Sequence, residues 1–290
     1  MATSDPEPGL RGATALSIDD PDYPPALRDL ADAPRTVYVR GRIPPRERSV
    51  AIVGARASTL YGDGVAGMLA RDLAALGVTI VSGLARGIDA AAHRGALEAG
   101  GWTVAVLPGG LDSVAPRHHT DLAARVAATG GLITEWETGP PRARGVFVRR
   151  NRLIAALTSA VVVVEAGEES GALSTAGAAR RLERVVFAVP GDIDRPSSRG
   201  CLALLREGAR VCASAADVMS ALPVRIEAAA SPEARLLDAL AARPEGAETL
   251  AMRAGLPVDQ ALAALLRLEW AGTAAPCPGQ RWKRTGSGGA

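Results

Sequence analysis

The feature that most constrains this chain is a series of short, continuously apolar segments, each followed by glycine or proline and then by a helical pattern. Continuous rather than alternating apolar runs are typical of strands that are covered on both faces. Because these runs alternate with helical patterns, they predict βαβ units and an α/β fold with a doubly wound, mostly parallel sheet. The predicted strands are Ser49–Val53, Val78–Val81, Thr103–Leu107, Gly131–Thr134, Ala160–Val164, Val185–Val189 and Ala209–Cys212.

The strand series assigns residues 49–222 to one Rossmann-like domain. Residues 1–48 are rich in Pro, Asp and Arg and predict an N-terminal arm without its own core. A linker is expected over residues 221–231. Beyond it, helices at 232–242, 247–254 and 258–270 and a terminal hairpin predict a small winged-helix domain over residues 232–285.

Composition excludes several classes of protein. The net charge is only +2, so a polyanion partner cannot be argued from total charge. Three cysteines without a CxxC spacing predict neither a disulfide framework nor a zinc site, and they fit a cytoplasmic location. The first residues lack the pattern of a signal peptide. The most apolar stretch, Ile154 to Val164, is too short to span a membrane, so no membrane partner is expected.

Glycine-bearing turns follow four of the predicted strands. Because the carboxyl ends of parallel strands meet at one edge of a sheet, these turns predict an anion site built from backbone N–H groups and helix N-termini. The alternative is that each glycine only permits tight packing. Neither a GxGxxG fingerprint nor a P-loop is present. The residues singled out at this edge are Arg56, Gly83, Arg86, Ser170 and Gly171.

The densest positive charge lies between Pro140 and Arg152, in the run PPRARGVFVRRNR. Guanidinium groups neutralise phosphates, and an aromatic ring offers an unpaired base a stacking face. The alternative is a solvated arginine loop with the phenylalanine in the core. The candidates in this run are Arg144, Phe147, Arg150, Asn151 and Arg152, where Asn151 either reaches a base edge or caps the next helix.

No catalytic constellation emerges from the sequence. His93 lies in a helical pattern and is expected to be buried and hydrogen-bonded, while His118 and His119 have no acid or cysteine at ligand spacing. Glu165 ends a strand, but it has no evident acid or nucleophile partner. We therefore expect no catalytic residue, no metal site and no cofactor.

Four long motifs, in this order, resemble the DprA/Smf family, the DNA-processing protein of bacterial transformation. They are VSGLARGIDAAAH (Val81–His93), VAVLPGGLD (Val104–Asp112), FVRRNRLIAALTSAVVVVEAGEESGALSTAGAA (Phe147–Ala179) and FAVPGDIDRPSSRG (Phe187–Gly200). The resemblance implies an extended Rossmann-like fold and a homodimer that binds single-stranded DNA. It also implies that the dimer loads the RecA recombinase onto strands coated by single-strand binding protein, without being an enzyme.

The family's DNA site is carried over onto Arg56, Arg144, Phe147 and the run Arg150 to Arg152. The sequence departs from the family pattern at three places. The 48-residue arm leaves little room for the family's SAM-like domain, so we expect that domain to be vestigial or absent here. Ala115-Pro116 and Cys201 replace a common Tyr-Pro and an asparagine, so the pocket at the sheet edge is in question.

Two other functions compete with this one. A nucleoside monophosphate phosphoribohydrolase of the lysine-decarboxylase-like type, or a nucleotide-sensing relative, shares the PGG turn, but Gly109-Gly110 is not followed by GxGTxxE. A winged-helix regulator reading duplex DNA would use the helix at 258–270. That helix carries Asp259 and Glu269 beside Arg267, a poor charge for the major groove.

Overall fold

The computed structural model describes residues 12–141, 143, 145–222, 232–240, 244–254, 256–279 and 281–285. The chain divides into two compact units, Met1–Pro223 and Val224–Ala290. Most of the predicted linker and the candidate Arg144 lie outside the described residues. Among the described residues, no helix is long and apolar enough to cross a membrane.

The first unit is built on one twisted sheet. Its strands are β1 (Thr14–Ser17), β2 (Thr36–Gly41), β3 (Ser49–Val53), β4 (Thr79–Ser82), β5 (Thr103–Val106), β6 (Gly131–Thr134), β7 (Ala160–Val163), β8 (Val185–Ala188) and β9 (Arg210–Val211). Its helices are α1 (Leu60–Ala75), α2 (Ile88–Glu98), α3 (Thr120–Thr129), α4 (Gly145–Ala156), α5 (Ala172–Arg181), α6 (Arg199–Arg206) and α7 (Ala215–Met219).

The strand order is β1-β2-β6-β5-β4-β3-β7-β8-β9. Strands β3 to β9 pair in parallel, and β1 and β2 add an antiparallel edge beside β6. The chain winds outward from β3 in one direction and from β7 in the other, so the topological switch point lies between these two strands. All seven predicted strands are present, which confirms the doubly wound, mostly parallel sheet.

The two faces of the sheet pack against different helices. Alternate residues of a strand point to opposite faces, so Ala51 and Val53 join the core under α4, α5 and α6. Val50 and Ile52 join the core under α1, α2 and α7. Because both faces are buried, the strand sequences are apolar without interruption.

The N-terminal arm is part of this unit from residue 12 onward. Its two strands extend the sheet, and the fully buried side chains of Tyr23 and Leu27 pack in the core under α4. The Tyr23 hydroxyl donates to the carbonyl of Pro34 at 2.7 Å. The arm therefore completes the core of the sheet instead of forming one of its own.

Two helices differ from the sequence-based expectation. The apolar pattern of the sequence predicts a helix from Val65 to Leu76, but helix α1 begins five residues earlier, because the Thr59 side chain accepts from the N–H of Gly62 and caps the helix. The sequence predicts a loop before a helix that contains Arg150 to Arg152, but helix α4 begins at Gly145, so Phe147 is already helical. The arginine residues of this segment interrupt the spacing of apolar residues that indicates a helix.

The second unit is a winged helix, as predicted. It contains α8 (Pro232–Ala239), α9 (Ala247–Ala254) and α10 (Val258–Trp270), with strands β10 (Glu245–Gly246), β11 (Ala274–Cys277) and β12 (Arg281–Arg284). The strands form one antiparallel sheet in the order β10-β12-β11. Leu236, Leu250, Leu265 and Trp282 form the centre of its core.

Candidate functional site

A cavity of about 690 Å³ opens at the switch point between the carboxyl ends of β3 and β7. Open α/β sheets bind ligands at this position. The turn after β3, the first turns of α4 and the loop before α5 line it. Three of the four glycine-bearing turns, those after β3, β4 and β7, line this cavity, whereas the turn after β5 does not. The cavity brings together Arg56, Phe147, Arg150, Asn151, Ser170 and Gly171.

Arg56 and Phe147 form the accessible rim of this cavity. The Arg56 guanidinium carbon lies 4.5 Å from the centroid of the Phe147 ring, a cation–π contact. Arg56 is exposed, and Phe147 is half-buried. Both also line a smaller adjoining cavity of about 360 Å³, together with Gly83 and the exposed Arg86. The rim thus presents two cationic groups and one aromatic ring.

Arg150 lies beneath the rim and is almost completely buried. It donates to the carbonyl of Gly83 at 2.7 Å and to the carbonyl of Val106, and its Nε donates to Asn151 Oδ1 at 3.1 Å. Burial lowers the pKa of Arg150 to about 10, so it remains charged at neutral pH. This arginine holds the ends of β4 and β5 against α4.

Asp89 is the buried countercharge of Arg150, although they do not touch directly. Its carboxylate accepts from the N–H of Gly83 at 3.1 Å and from that of Ala85 at 3.4 Å. The Gly83 peptide therefore lies between the carboxylate and the guanidinium. Burial raises the pKa of Asp89, and the charge of Arg150 opposes that rise. The turn after β4 is held between these two charges.

Gly83 has no room for a side chain. A Cβ there would lie 2.4 Å from Nη2 of Arg150 and 2.5 Å from its Cζ. The guanidinium is buried and hydrogen-bonded, so it cannot move aside cheaply. The glycine predicted as part of an anion site thus also makes space for an arginine.

Asn151 connects this network to the loop before α5. Its amide donates to the carbonyl of Gly171 at 3.0 Å and to Ser174 Oγ at 2.8 Å. Both donors of the side chain are used within the protein. The first turn of α5 is therefore fixed relative to α4, with Ser170 half-buried and Gly171 exposed at the cavity wall.

Arg152 points away from the cavity. Its Nε donates to Asp32 Oδ2 at 2.7 Å, and its Nη2 donates to Glu135 Oε2 at 2.9 Å. Arg149 lies 3.3 Å from the other oxygen of Glu135. The sequence groups Arg152 with Arg56 and Arg150 at one edge of the sheet, but that prediction is wrong for Arg152, because its acidic partners on the arm and after β6 hold it elsewhere.

Sequence analysis missed Asp89, the group that orders the turn after β4. One signal was available, since an acid stands among apolar residues in the first turn of α2. His93 on the same helix is buried as expected, and its Nδ1 lies 2.7 Å from Thr103 Oγ1. In the described part of the chain, no cluster of His, Cys, Asp and Glu could hold a metal ion.

The fold and this site define a class: a doubly wound α/β protein with a basic and aromatic cavity at its switch point, joined to a winged helix. Comparison with family models gives the family. The model described as DNA recombination-mediator protein A matches residues 14–223, and that of the DprA winged helix domain matches residues 220–280. The chain belongs to the DprA/Smf family.

Individual relatives agree with this assignment. The chain is 40% identical to the putative DNA processing protein DprA of Mycobacterium tuberculosis, over 96% of this chain and 79% of that protein. The structure of DprA from Streptococcus pneumoniae matches with a TM-score of 0.67 and 34% identity, over 75% of this chain and 77% of that one. A structure of DprA from Helicobacter pylori, described for its single-stranded DNA binding mode, matches with a TM-score of 0.64 and 30% identity, over 72% and 94%.

Proposed function

We propose that this protein binds single-stranded DNA at the cavity between β3 and β7 and acts as a recombination mediator without catalysing a reaction. The observation that carries the proposal is the Arg56–Phe147 pair at the cavity rim. An exposed guanidinium can neutralise a phosphate, and a half-buried ring can stack on a base that is not paired. The single-stranded DNA binding mode described for the Helicobacter pylori relative supports single-stranded DNA as the ligand.

Within this proposal the predicted site residues take two roles. Arg56, Arg86, Phe147, Ser170 and Gly171 contact the strand, because they are accessible at the two adjoining cavities. Gly83, Arg150 and Asn151 hold those groups in place through the buried network. Contacts of Arg144 and Arg152 with phosphate stay predictions from the resemblance.

The proposal extends to assembly. We propose that two copies associate through the edge of the sheet around Leu202 to Val211, where both residues of β9 are exposed and their outer backbone edge is unpaired among the described strands. We further propose that the dimer acts in the cytoplasm and loads RecA onto strands coated by single-strand binding protein during natural transformation. Light scattering at micromolar concentration and a filament-assembly assay on coated strands test these two steps.

The test of DNA binding compares one oligonucleotide as a single strand and as a blunt duplex at several salt concentrations. We expect a clear preference for the single strand, because paired bases cannot reach Phe147. Phe147→Ala should weaken single-strand binding by about 1–3 kcal/mol, the usual worth of one stacked base. Arg71→Ala, which removes a remote exposed arginine of α1, is the matched control and should change nothing. Equal affinity for the duplex would contradict the proposal.

The winged helix fits a duplex reader poorly. Arg267 on α10 is paired with Glu233. The outer face of α10 exposes Val258, Leu262, Leu266 and Trp270, an apolar row at helical spacing. Major-groove helices present polar and basic groups instead. The proposed DNA contacts are therefore confined to the first unit.

A further inference from the structure

A second cavity, of about 490 Å³, opens beside the first at the carboxyl ends of β7 and β8. Ser197 lines both cavities, so a strand seated in the first can reach the second without leaving the surface. The wall of the second cavity includes Thr59 and Tyr61 from the start of α1 and Glu165 from the end of β7. The residues assigned to DNA contact above do not line it.

Glu165 is built into the wall of this cavity. The residue is only 6% exposed. Its Oε2 accepts from the backbone N–H of Thr59 at 3.0 Å and from the Thr59 hydroxyl at 3.1 Å. A Cβ at Gly62 would lie 2.1 Å from the same oxygen, so only glycine leaves space for the carboxylate. Within the described residues, no donor is bound to Oε1.

A carboxylate held in this way selects ligands that donate hydrogen bonds, since an ionised carboxylate only accepts. The carboxylate also disfavours phosphate, and Arg195, which lines the same cavity, is already paired with Asp192 at 2.7 Å. The part of a DNA strand that enters is therefore expected to be a base. Tyr61 is 64% exposed at the cavity wall and offers a ring on which a base can stack. The cavity thus combines an aromatic face with a buried acceptor.

We propose that this cavity holds an unpaired DNA base that carries an exocyclic amine, with Glu165 accepting a hydrogen bond from the amine. The proposal rests on the proposed function and adds base preference to it. Cytosine and adenine present an amino donor, whereas thymine presents the O4 acceptor at the equivalent position. An unpaired thymine can donate only its N3–H, which lies between two oxygens that the carboxylate repels, so thymine is the disfavoured base.

The experiment measures the affinities of oligo-dC and oligo-dT of equal length for the full chain at pH 7.5. We expect oligo-dC to bind about tenfold more tightly, within the range found for one good base contact. In Glu165→Gln the amide keeps the bond from Thr59 and can also donate to thymine O4. The ratio of the oligo-dC affinity to the oligo-dT affinity should therefore fall to about one or reverse.

Two further variants make the outcome decisive. Tyr61→Ala alters an exposed side chain, so it leaves the fold intact and should narrow the dC to dT ratio. Phe147→Ala should weaken both strands equally and leave the ratio unchanged. Equal binding of oligo-dC and oligo-dT by the unaltered protein, or a ratio that neither Glu165→Gln nor Tyr61→Ala changes, overturns the base preference. Failure to bind either strand overturns the proposed function instead.

Discussion

Helix α4 carries two pairs of residues three positions apart, and the two pairs meet different surroundings. Phe147 and Arg150 face the cavity at the sheet edge. Arg149 and Arg152 face Glu135, and Arg152 also binds Asp32. Residues three apart share a helix face, so one basic run becomes two separate patches. A charge cluster in a sequence therefore does not define one surface.

The two faces also differ in how their charge is compensated. Arg150 is buried between carbonyl groups and near Asp89, which is itself buried. Arg152 and its partner Glu135 are also mostly buried, but the second partner, Asp32, is exposed to solvent, and Arg149 stays beside Glu135 when Arg152 is removed. Removing a partner costs most where water cannot replace it. The face of α4 with Phe147 and Arg150, the cavity face, should therefore contribute more to the free energy of unfolding than the face with Arg149 and Arg152, the arm face.

The largest effect is expected for Arg150→Met. The change leaves Asp89 without its countercharge and the carbonyls of Gly83 and Val106 without a donor. We expect the free energy of unfolding of the first unit to fall by about 3–5 kcal/mol, measured by urea denaturation. Adding Asp89→Asn should recover part of the loss. Arg71→Ala, on the exposed surface of α1, should stay within about 0.5 kcal/mol of the unaltered protein.

A smaller loss is expected for Arg152→Ala on the arm face. Its hydrogen bonds to Glu135 and Asp32 are charge-assisted, and we expect unfolding to become easier by about 1.5–3 kcal/mol. Protease cleavage near the arm should accelerate as well. A fall in DNA affinity together with a smaller salt dependence would show that Arg152 reaches phosphate. A loss of stability as large as that of Arg150→Met would contradict the comparison of the two faces.

The dependence of the unfolding free energy on pH tests the buried environment of His93. Burial, followed by the charge of Arg150, lowers the pKa of His93 from 6.5 to about 3. Between these values the unfolded chain binds a proton that the folded chain does not, so stability is lost as the pH falls from about 6.5 towards 3. The slope for one such group is at most about 1.4 kcal/mol per pH unit. His93→Gln should reduce the slope of unfolding free energy against pH by up to that amount. An unchanged slope would contradict a lowered pKa of His93 in the folded protein.

The smallest effect concerns the rim. Arg56→Ala should reduce the dependence of log affinity on log salt by about 0.7 units, the value for one phosphate contact on a single strand. Phe147→Ala should leave this slope unchanged, because stacking releases no counterions. Titrations at four salt concentrations separate the two. Identical slopes for both variants would mean that Arg56 serves only to orient the ring.

Much of the site was predictable because the turns that follow parallel strands open at the same edge of the sheet. The sequence placed Arg56, Phe147 and Gly171 there, and the cavity contains all three. It could not assign Arg150 to the interior, since arginine is rarely buried unless paired. The groups around its guanidinium, Asp89 and the carbonyls of Gly83 and Val106, come from α2, the turn after β4 and β5.

The sequence by itself determined the order of β3 to β8 along the chain, because strands covered on both faces must be continuously apolar. It also determined the winged helix, through the period of its three helices. Only the tertiary structure decided which way each arginine of α4 points. Successive helical residues rotate around the axis, and the carbonyl and carboxylate groups that receive the arginines lie 14 to 120 residues away in the chain. The local sequence pattern determines which segments form strands and helices, whereas partners distant in the chain determine where the arginine side chains lie.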